Sequence, residues 1–176
     1  MKTFDTIIGI DPGRSGGLAK YRAGYVDTIK MPKDIADLQP YFQNIKDISI
    51  NPIIFLEKVQ LRADDVKDNP GKAFRIQNML MDFQRLKDYI EIVGIPYVLI
   101  HPLSWQSTLK IRKQGEEKKD RKNRYKQVAE YYYPNVKATL WNADAILIMH
   151  AGRIKLEYDP TWVKQNLPKR EADKLF

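Results

Sequence analysis

Residues 7–19 read Ile7-Ile8-Gly9-Ile10-Asp11-Pro12-Gly13-Arg14-Ser15-Gly16-Gly17-Leu18-Ala19: an apolar run that ends on one acid, a turn rich in Gly and Pro, and a second apolar run. This pattern predicts a buried strand that carries Asp11 at its C-terminal end, followed by a tight return into a second strand. A buried carboxylate is costly unless a metal ion or a cationic side chain compensates its charge. The alternative is an acid that hydrogen-bonds its own turn, as Asp-Pro-Gly sequences often do.

Strand and helix patterns alternate after this stretch. Residues 17–22 and 25–30 predict two strands, which form an antiparallel meander with the first. Apolar side chains then recur at helical spacing from residue 35 to 45, behind a capping Asp34. A second continuous apolar run, Ile53-Ile54-Phe55-Leu56-Glu57, is typical of a strand buried on both faces, and it also ends on a single acid.

The middle of the chain completes the element order. A polar loop is predicted from residue 62 to 71, a long helix from 73 to 93, and a further strand from 96 to 100. The resulting order of three strands, a helix, a strand, a helix and a strand predicts an α/β fold. The sheet is expected to be mixed and five-stranded, with three antiparallel strands followed by parallel strands, and to be flanked by helices.

A third acid lies at the start of a C-terminal helix. Helical spacing places Asp144 on the same face as Leu140, Leu147 and Ala151, which is the face expected to be buried. An acid in the first turn of a helix usually interacts with the helix dipole from the exposed side. Asn142 either caps this helix or reaches the same site as Asp144.

Composition limits the class of protein. With 176 residues, 43% of them hydrophobic, the chain is expected to form one domain, residues 1–158, and a polar basic tail, residues 159–176. The absence of Cys means that any metal must be held by oxygen or histidine. The sequence shows neither a signal-peptide pattern nor a membrane-spanning run, so a cytoplasmic protein with no membrane partner is expected.

The charge pattern favours a polyanionic partner. The net charge is +8, and the most basic segment follows Trp105. It is predicted to form a helix from Asp120, as the cap, to Tyr132. A charged run of this kind is either a solvated helix face or a phosphate-binding surface, and the excess of one sign favours the second. The predicted DNA-binding residues are Arg14, Lys58, Lys110, Arg112, Lys113, Lys118, Lys119, Arg121, Lys122 and Arg124.

The three acids suggest a reaction. Asp11, Glu57 and Asp144 each stand where packing prefers a hydrocarbon, and clustered carboxylates are tolerable when a hard divalent cation neutralises them. An oxygen-only ligand set suits Mg²⁺ or Mn²⁺. Two such ions can activate water and stabilise the leaving oxygen of a phosphodiester displacement. Beside a basic segment, this chemistry predicts a metal-dependent nuclease.

Four motifs in order resemble the RuvC-like Holliday-junction resolvases of the ribonuclease H-like superfamily, especially the compact phage and poxvirus-type branch. They are Ile8-Gly9-Ile10-Asp11-Pro12-Gly13, Phe55-Leu56-Glu57-Lys58-Val59, Pro102-Leu103-Ser104-Trp105 and Asn142-Ala143-Asp144-Ala145-Ile146-Leu147-Ile148. The resemblance implies a ribonuclease H-like fold, a homodimer, and Mg²⁺- or Mn²⁺-dependent cutting of opposed strands in four-way DNA junctions, leaving 5′-phosphate ends. It also implies a bacterial or phage context, with an organelle or a viral factory as alternatives.

The family's ligand set is matched in part. Asp11, Glu57 and Asp144 match its first aspartate, its glutamate and its final aspartate. The family usually carries another acid or a histidine three or four residues before the last aspartate, where this chain has Trp141 and Leu140. Asn142, Glu116, Glu117 and Asp120 are the candidate replacements, and Asn142 is included in the predicted metal site.

Two other functions remain as alternatives. A junction-binding protein with weak or no cleavage is expected if the missing acid disables metal binding. A phosphotransferase of the actin-like ATPase superfamily also has an Asp-x-Gly turn after its first strand, but it requires a second Gly-rich phosphate loop and a larger two-domain chain.

Overall fold

The computed structural model describes residues 3–59 and 70–168. A single five-stranded sheet forms the centre of the described chain, with the strand order β3-β2-β1-β4-β5. The strands are β1 (Thr6–Asp11), β2 (Gly17–Arg22), β3 (Tyr25–Lys30), β4 (Pro52–Glu57) and β5 (Tyr97–Ile100). The helices are a 3₁₀ helix (Ile35–Leu38), α1 (Gln39–Ile48), α2 (Pro70–Val93), α3 (Pro102–Thr108), α4 (Lys118–Tyr132), α5 (Ala143–Tyr158) and α6 (Pro160–Asn166).

The strand directions confirm the predicted mixed sheet. β1 pairs antiparallel with β2, and β2 antiparallel with β3, whereas β1 and β4, and then β4 and β5, are parallel. Parallel neighbours require crossover connections, which α1 and α2 supply between β3 and β4 and between β4 and β5. Both central strands are apolar along their length because helices cover both faces of the sheet.

Two apolar cores lie on opposite faces of the sheet. One face packs against α3, α4, α5 and α6, and Phe55, Trp105 and Ile148 are fully buried there. The other face packs against α1 and the C-terminal half of α2, where Phe42 and Ile90 are buried. None of the described helices combines the length and the apolar character needed to cross a membrane.

Helix α5 crosses β1 closely because Gly9 has no side chain. A Cβ atom at Gly9 would lie 2.3 Å from the carbonyl oxygen of Ala145 and from the backbone nitrogen of Met149. Any larger residue would therefore push α5 away from the sheet. This close crossing brings the first turn of α5 to the C-terminal end of β1.

One predicted helix start and one predicted buried position are wrong. Helix α4 begins at Lys118, with Glu117 at the N-cap position, so Asp120 lies inside the first turn, where its charge interacts with the helix dipole instead of capping the helix. Helix α5 begins at Ala143, because residues 139–142 form a turn held by the Asn142 side chain. Leu140 therefore lies outside the helix, and 57% of its surface is exposed rather than buried.

The predicted polar tail from residue 159 is also wrong over its first part. Asp159 accepts a hydrogen bond from the backbone nitrogen of Trp162 and caps α6. Val163 and Leu167 are buried in the core, so this segment packs against the domain as an amphipathic helix. Residues 169–176, and most of the predicted loop from 62 to 71, lie outside the described residues.

Candidate functional site

Two of the predicted acids are neighbours at one edge of the sheet. Ile10 of β1 is paired in register with Leu56 of β4, so Asp11 and Glu57 end adjacent parallel strands. Strands in a sheet lie about 4.8 Å apart, which brings the two carboxylates to the same place. Asp11 Oδ1 also accepts a hydrogen bond of 3.1 Å from the backbone nitrogen of Gly13. Asp11 therefore hydrogen-bonds its own turn, as the alternative interpretation predicts, and also lies beside Glu57.

Asp144 joins this edge from the first turn of α5. Only 8% of its surface is exposed, which confirms that it points inward. Its Oδ2 accepts a hydrogen bond of 2.5 Å from Lys122 Nζ on α4, and the two side chains form an ion pair. Its Oδ1 is buried and has no hydrogen-bond partner within the described part of the chain. A buried oxygen without a partner is costly, and a bound ion or water is one explanation for it.

Trp105 on α3 positions the carboxylate of Glu57. Its indole Nε1 donates a hydrogen bond of 2.8 Å to Glu57 Oε1. The indole is 1% exposed and packs edge-on against Tyr125 of α4, with 5.3 Å between ring centroids. A ring packed this tightly has a single orientation, so its N–H fixes the position of the Glu57 carboxylate. Trp105 belongs to the motif Pro102-Leu103-Ser104-Trp105, but nothing in the sequence indicates its contact with Glu57.

The electrostatics of the three acids follow from burial and from their proximity. Burial raises the pKa of Asp11 to about 6, and the charge of Asp144 adds to the increase. Burial also raises the pKa of Glu57 to about 7, with a further contribution from Asp11. The hydrogen bond from Trp105 and the ammonium of Lys122 oppose the increase at Glu57. Carboxylates that resist ionisation in the absence of a cation are typical of functional sites.

The three acids line one cleft of about 830 Å³, here called the carboxylate cleft. Its rim is basic. Four residues of the predicted DNA-binding set lie on it besides Lys122, and these four are called the cleft cations: Arg112, Lys113, Lys118 and Arg121. Lys30 lies there too, although it was not among the predicted residues. The register of the two hairpins could have identified Lys30, because Asp11 pairs with Gly17 and Gly17 pairs with Lys30.

Five other predicted DNA-binding residues do not line the carboxylate cleft. Lys58, Lys110 and Lys119 are exposed elsewhere. Arg14 lines a separate cavity of about 720 Å³ together with Pro12 and Met31, and it pairs with Asp82 at 3.0 Å. Arg124 forms an ion pair with Glu116.

Arg124 braces the loop before α4. Its guanidinium donates hydrogen bonds to both carboxylate oxygens of Glu116 and to the carbonyl oxygen of Ile111. Its side chain is only 17% exposed. With these donors already engaged, Arg124 stabilises the basic segment and is not positioned to bind phosphate.

Asn142 is not positioned as a metal ligand. Its Oδ1 accepts hydrogen bonds from the backbone nitrogen and the hydroxyl of Thr139, at 2.7 and 3.0 Å. Its Nδ2 donates to Thr28 Oγ1 at 3.3 Å and to the carbonyl oxygen of Lys137 at 3.2 Å. Because the amide is 2% exposed and fully engaged, it joins the turn before α5 to β3 instead of facing the cleft.

The two positions where the family carries a further acid have different environments. Leu140 is exposed and lines the carboxylate cleft. Trp141 also reaches the cleft, but its ring packs against Gly17, where a Cβ would lie 2.9 Å from ring carbons. Leu140 is therefore the position at which an added carboxylate has room.

The donor set suits a hard divalent cation. All three side chains offer oxygen, and Asp144 has a buried oxygen that no other described residue contacts by a hydrogen bond. Within residues 3–59 and 70–168, however, no three His, Asp or Glu side chains already form a group able to hold a metal ion. A cation would have to draw these carboxylates closer together than they lie without it.

Comparison with known proteins gives matches in structure alone. No family model and no curated protein matches the sequence. Thermus thermophilus RuvC in complex with a Holliday junction substrate matches with a TM-score of 0.54 at 13% identity, over 88% of this chain and 96% of that chain. Another Thermus thermophilus RuvC structure matches with a TM-score of 0.50 at 14% identity, over 86% and 95%.

These matches confirm the predicted ribonuclease H-like fold, as it occurs in RuvC. At this level of identity they show the fold and leave the reaction to be argued from the site. The assignment to the phage and poxvirus-type branch stays a prediction.

Proposed function

We propose that this chain, which has the ribonuclease H-like fold of RuvC, is a structure-specific endonuclease that binds four-way DNA junctions and hydrolyses a phosphodiester in opposed strands. The observation that carries the proposal is the carboxylate cleft, where Asp11, Glu57 and Asp144 meet beneath a basic rim. Carboxylates alone would repel DNA, and cations alone would only bind it. Their combination at one cleft suits metal-assisted phosphodiester chemistry.

Asp11, Glu57 and Asp144 are the proposed ligands of Mg²⁺ or Mn²⁺. When bound, a divalent cation activates water and stabilises negative charge on the phosphate. Trp105 keeps the Glu57 carboxylate in a fixed orientation through its indole N–H. Gly13 does the same for Asp11 through its backbone N–H. The chain thus contributes ligands that are oriented before the substrate arrives.

Hydrolysis joins a water oxygen to phosphorus and breaks the bond between phosphorus and the 3′ oxygen. The water gives up a proton to the surrounding solvent and the 3′ oxygen takes one up, which leaves a 5′-phosphate end. The cleft cations hold the flanking phosphates by charge and carry little sequence information. Branch recognition then depends on how the DNA arms are arranged around the cleft.

A homodimer is part of the proposal, because two opposed cuts in a two-fold symmetric junction require two related sites. Helix α2 supports it. Leu86 and Ile90 in its C-terminal half are buried, whereas Phe74 and Met81 in its N-terminal half are 65% and 46% exposed. Phe74 and Met81 are two turns apart and therefore share one face of the helix. Exposed apolar side chains on one face are typical of interaction surfaces. A cytoplasmic location in a bacterial or phage context also stays a prediction.

A second candidate function is a junction-binding protein without cleavage. Leu140 and Trp141 favour it, because neither supplies the further ligand expected there. Basic clefts bind DNA whether or not a metal is present. Both functions therefore include junction binding, and only the first includes cleavage.

The test uses a labelled four-way junction and a linear duplex of the same length, each with Mg²⁺ and with Mn²⁺. Paired nicks in the junction alone are expected from the unmodified chain. Asp11→Asn and Asp144→Asn should abolish cutting and retain junction binding, because phosphate contacts come from other residues. Asp47→Asn, on the exposed side of α1, is the matched control and should cut normally. Binding without any cutting would favour the second function, and normal cutting by Asp11→Asn would refute the ligand assignment.

A further inference from the structure

Helix α4 places a lysine against the carboxylates. Lys122, Tyr125 and Ala129 are three and four residues apart and share one face of the helix. Tyr125 and Ala129 are 2% and 1% exposed, so they anchor this face to the core. Lys122 is thereby held at Asp144, with its Nζ 2.5 Å from Oδ2. The side chain of Lys122 is 27% exposed and that of Asp144 is 12% exposed, so the pair is largely removed from water.

Lys122 takes up ligand capacity that a second divalent cation would need. Asp11, Glu57 and Asp144 offer six carboxylate oxygens, and Lys122 Nζ already contacts one of them, Asp144 Oδ2. The other oxygen of Asp144, the buried Oδ1, has no partner among the described residues. Leu140 and Trp141 also line the cleft and add no acid. The remaining cations of the cleft oppose the binding of a second divalent cation by their charge: Lys30, Arg112, Lys113, Lys118 and Arg121.

We infer that Lys122 is a built-in replacement for a second metal ion, so that this chain binds a single divalent cation and uses the Lys122 ammonium as the other positive charge. The inference rests on the proposed nuclease function and assigns the cation content of that site. Lys122 acts by its charge at Asp144. Its ammonium is tethered to α4 and already lies at this position, whereas a second Mg²⁺ would have to give up water, which it does reluctantly.

The inference predicts opposite changes in metal binding and in cleavage. Lys122→Met removes a cation that competes for the carboxylates, so MnCl₂ should bind about tenfold more tightly. Cleavage of the junction at saturating MnCl₂ should nevertheless fall by at least about 100-fold, as is typical when one oriented charge is lost from a transition state. A merely structural role for Lys122 would instead weaken metal binding, and an inhibitory role would make the variant cut faster.

The experiment measures MnCl₂ binding to the metal-free full chain by calorimetry and by electron paramagnetic resonance, and cleavage of a labelled junction in parallel. One Mn²⁺ per chain is expected for the unmodified protein and for Lys122→Arg, which keeps the charge. Lys126→Met is the control on the same helix, since Lys126 pairs with Glu130 at the surface, and it should match the unmodified protein.

Two Mn²⁺ per unmodified chain, or unchanged MnCl₂ affinity in Lys122→Met, would overturn the inference. Cleavage by Lys122→Met at the normal rate would overturn it as well. If Lys122→Met does not fold, Lys122→Gln takes its place, and the stoichiometry of the unmodified chain still decides. Absence of junction cleavage by the unmodified chain would refute the proposed function separately, because the binding measurement does not depend on it.

Discussion

Replacing Glu57 by glutamine should make the metal-free protein more stable at pH 8. Burial raises the pKa of Glu57 from 4.5 to about 7, so the folded protein holds a proton that the unfolded chain has already lost between these two values. Stability therefore falls as the pH rises through this window and levels off above pH 7. The change in pKa corresponds to about 3 kcal/mol of penalty for the ionised form.

Glutamine keeps the oxygen that accepts the Trp105 hydrogen bond and carries no charge, so Glu57→Gln escapes this penalty. Because the buried amide needs partners of its own, the net gain expected at pH 8 is about 1–3 kcal/mol. In a chain of this length each kcal/mol raises Tm by about 2–4 °C. At pH 4, where the carboxyl is protonated in both states, no gain is expected.

The assay is thermal unfolding in EDTA at pH 4 and pH 8. Glu130→Gln is the control, because Glu130 forms an exposed surface pair with Lys126 and should change Tm little at either pH. Added Mn²⁺ should stabilise the unmodified protein more than Glu57→Gln, since the variant has lost one anionic ligand. An equal gain in Tm at pH 4 and pH 8, or no gain at pH 8, would refute the conclusion that ionised Glu57 destabilises the folded protein.

Four further outcomes are expected. Neutralising all four cleft cations should lower the slope of log binding constant against log salt by about 3 to 4, and an unchanged slope would place the DNA surface elsewhere. Leu140→Asp should strengthen Mg²⁺ binding and make Mg²⁺ as effective as Mn²⁺ in a metal titration of cleavage, whereas Trp141→Asp should lower Tm because its ring packs on Gly17. Light scattering should give a dimer mass that Phe74→Glu reduces to monomer, and a monomer mass for the unmodified chain with and without junction DNA would contradict the assignment of α2. Trp105→Phe should raise the pKa of Glu57 further and shift the pH profile of cleavage to higher pH. Fluorescence or NMR spectra should show that this variant still folds.

The sequence by itself determined the sheet and the placement of the three acids. Apolar runs of β-formers are local patterns, and residues 53–57 could be assigned to a buried strand without knowing their neighbours. The end of each run placed Asp11 and Glu57 at strand termini, and parallel pairing then made them neighbours. Helical spacing also predicted that Asp144 points inward, because the periodicity of a helix is a property of the chain alone.

Only the tertiary structure decided which partners these acids have. Lys122 contacts Asp144 because α4 packs against α5, and Arg124, two residues later, contacts Glu116 instead. Basic residues in a run are alike in sequence, and their roles separate only when the helix that carries them is docked. Asn142 likewise loses its place in the metal site to contacts with Thr28, which is 114 residues away. Local pattern fixes which side of an element is buried, whereas long-range packing fixes what each polar group finds there.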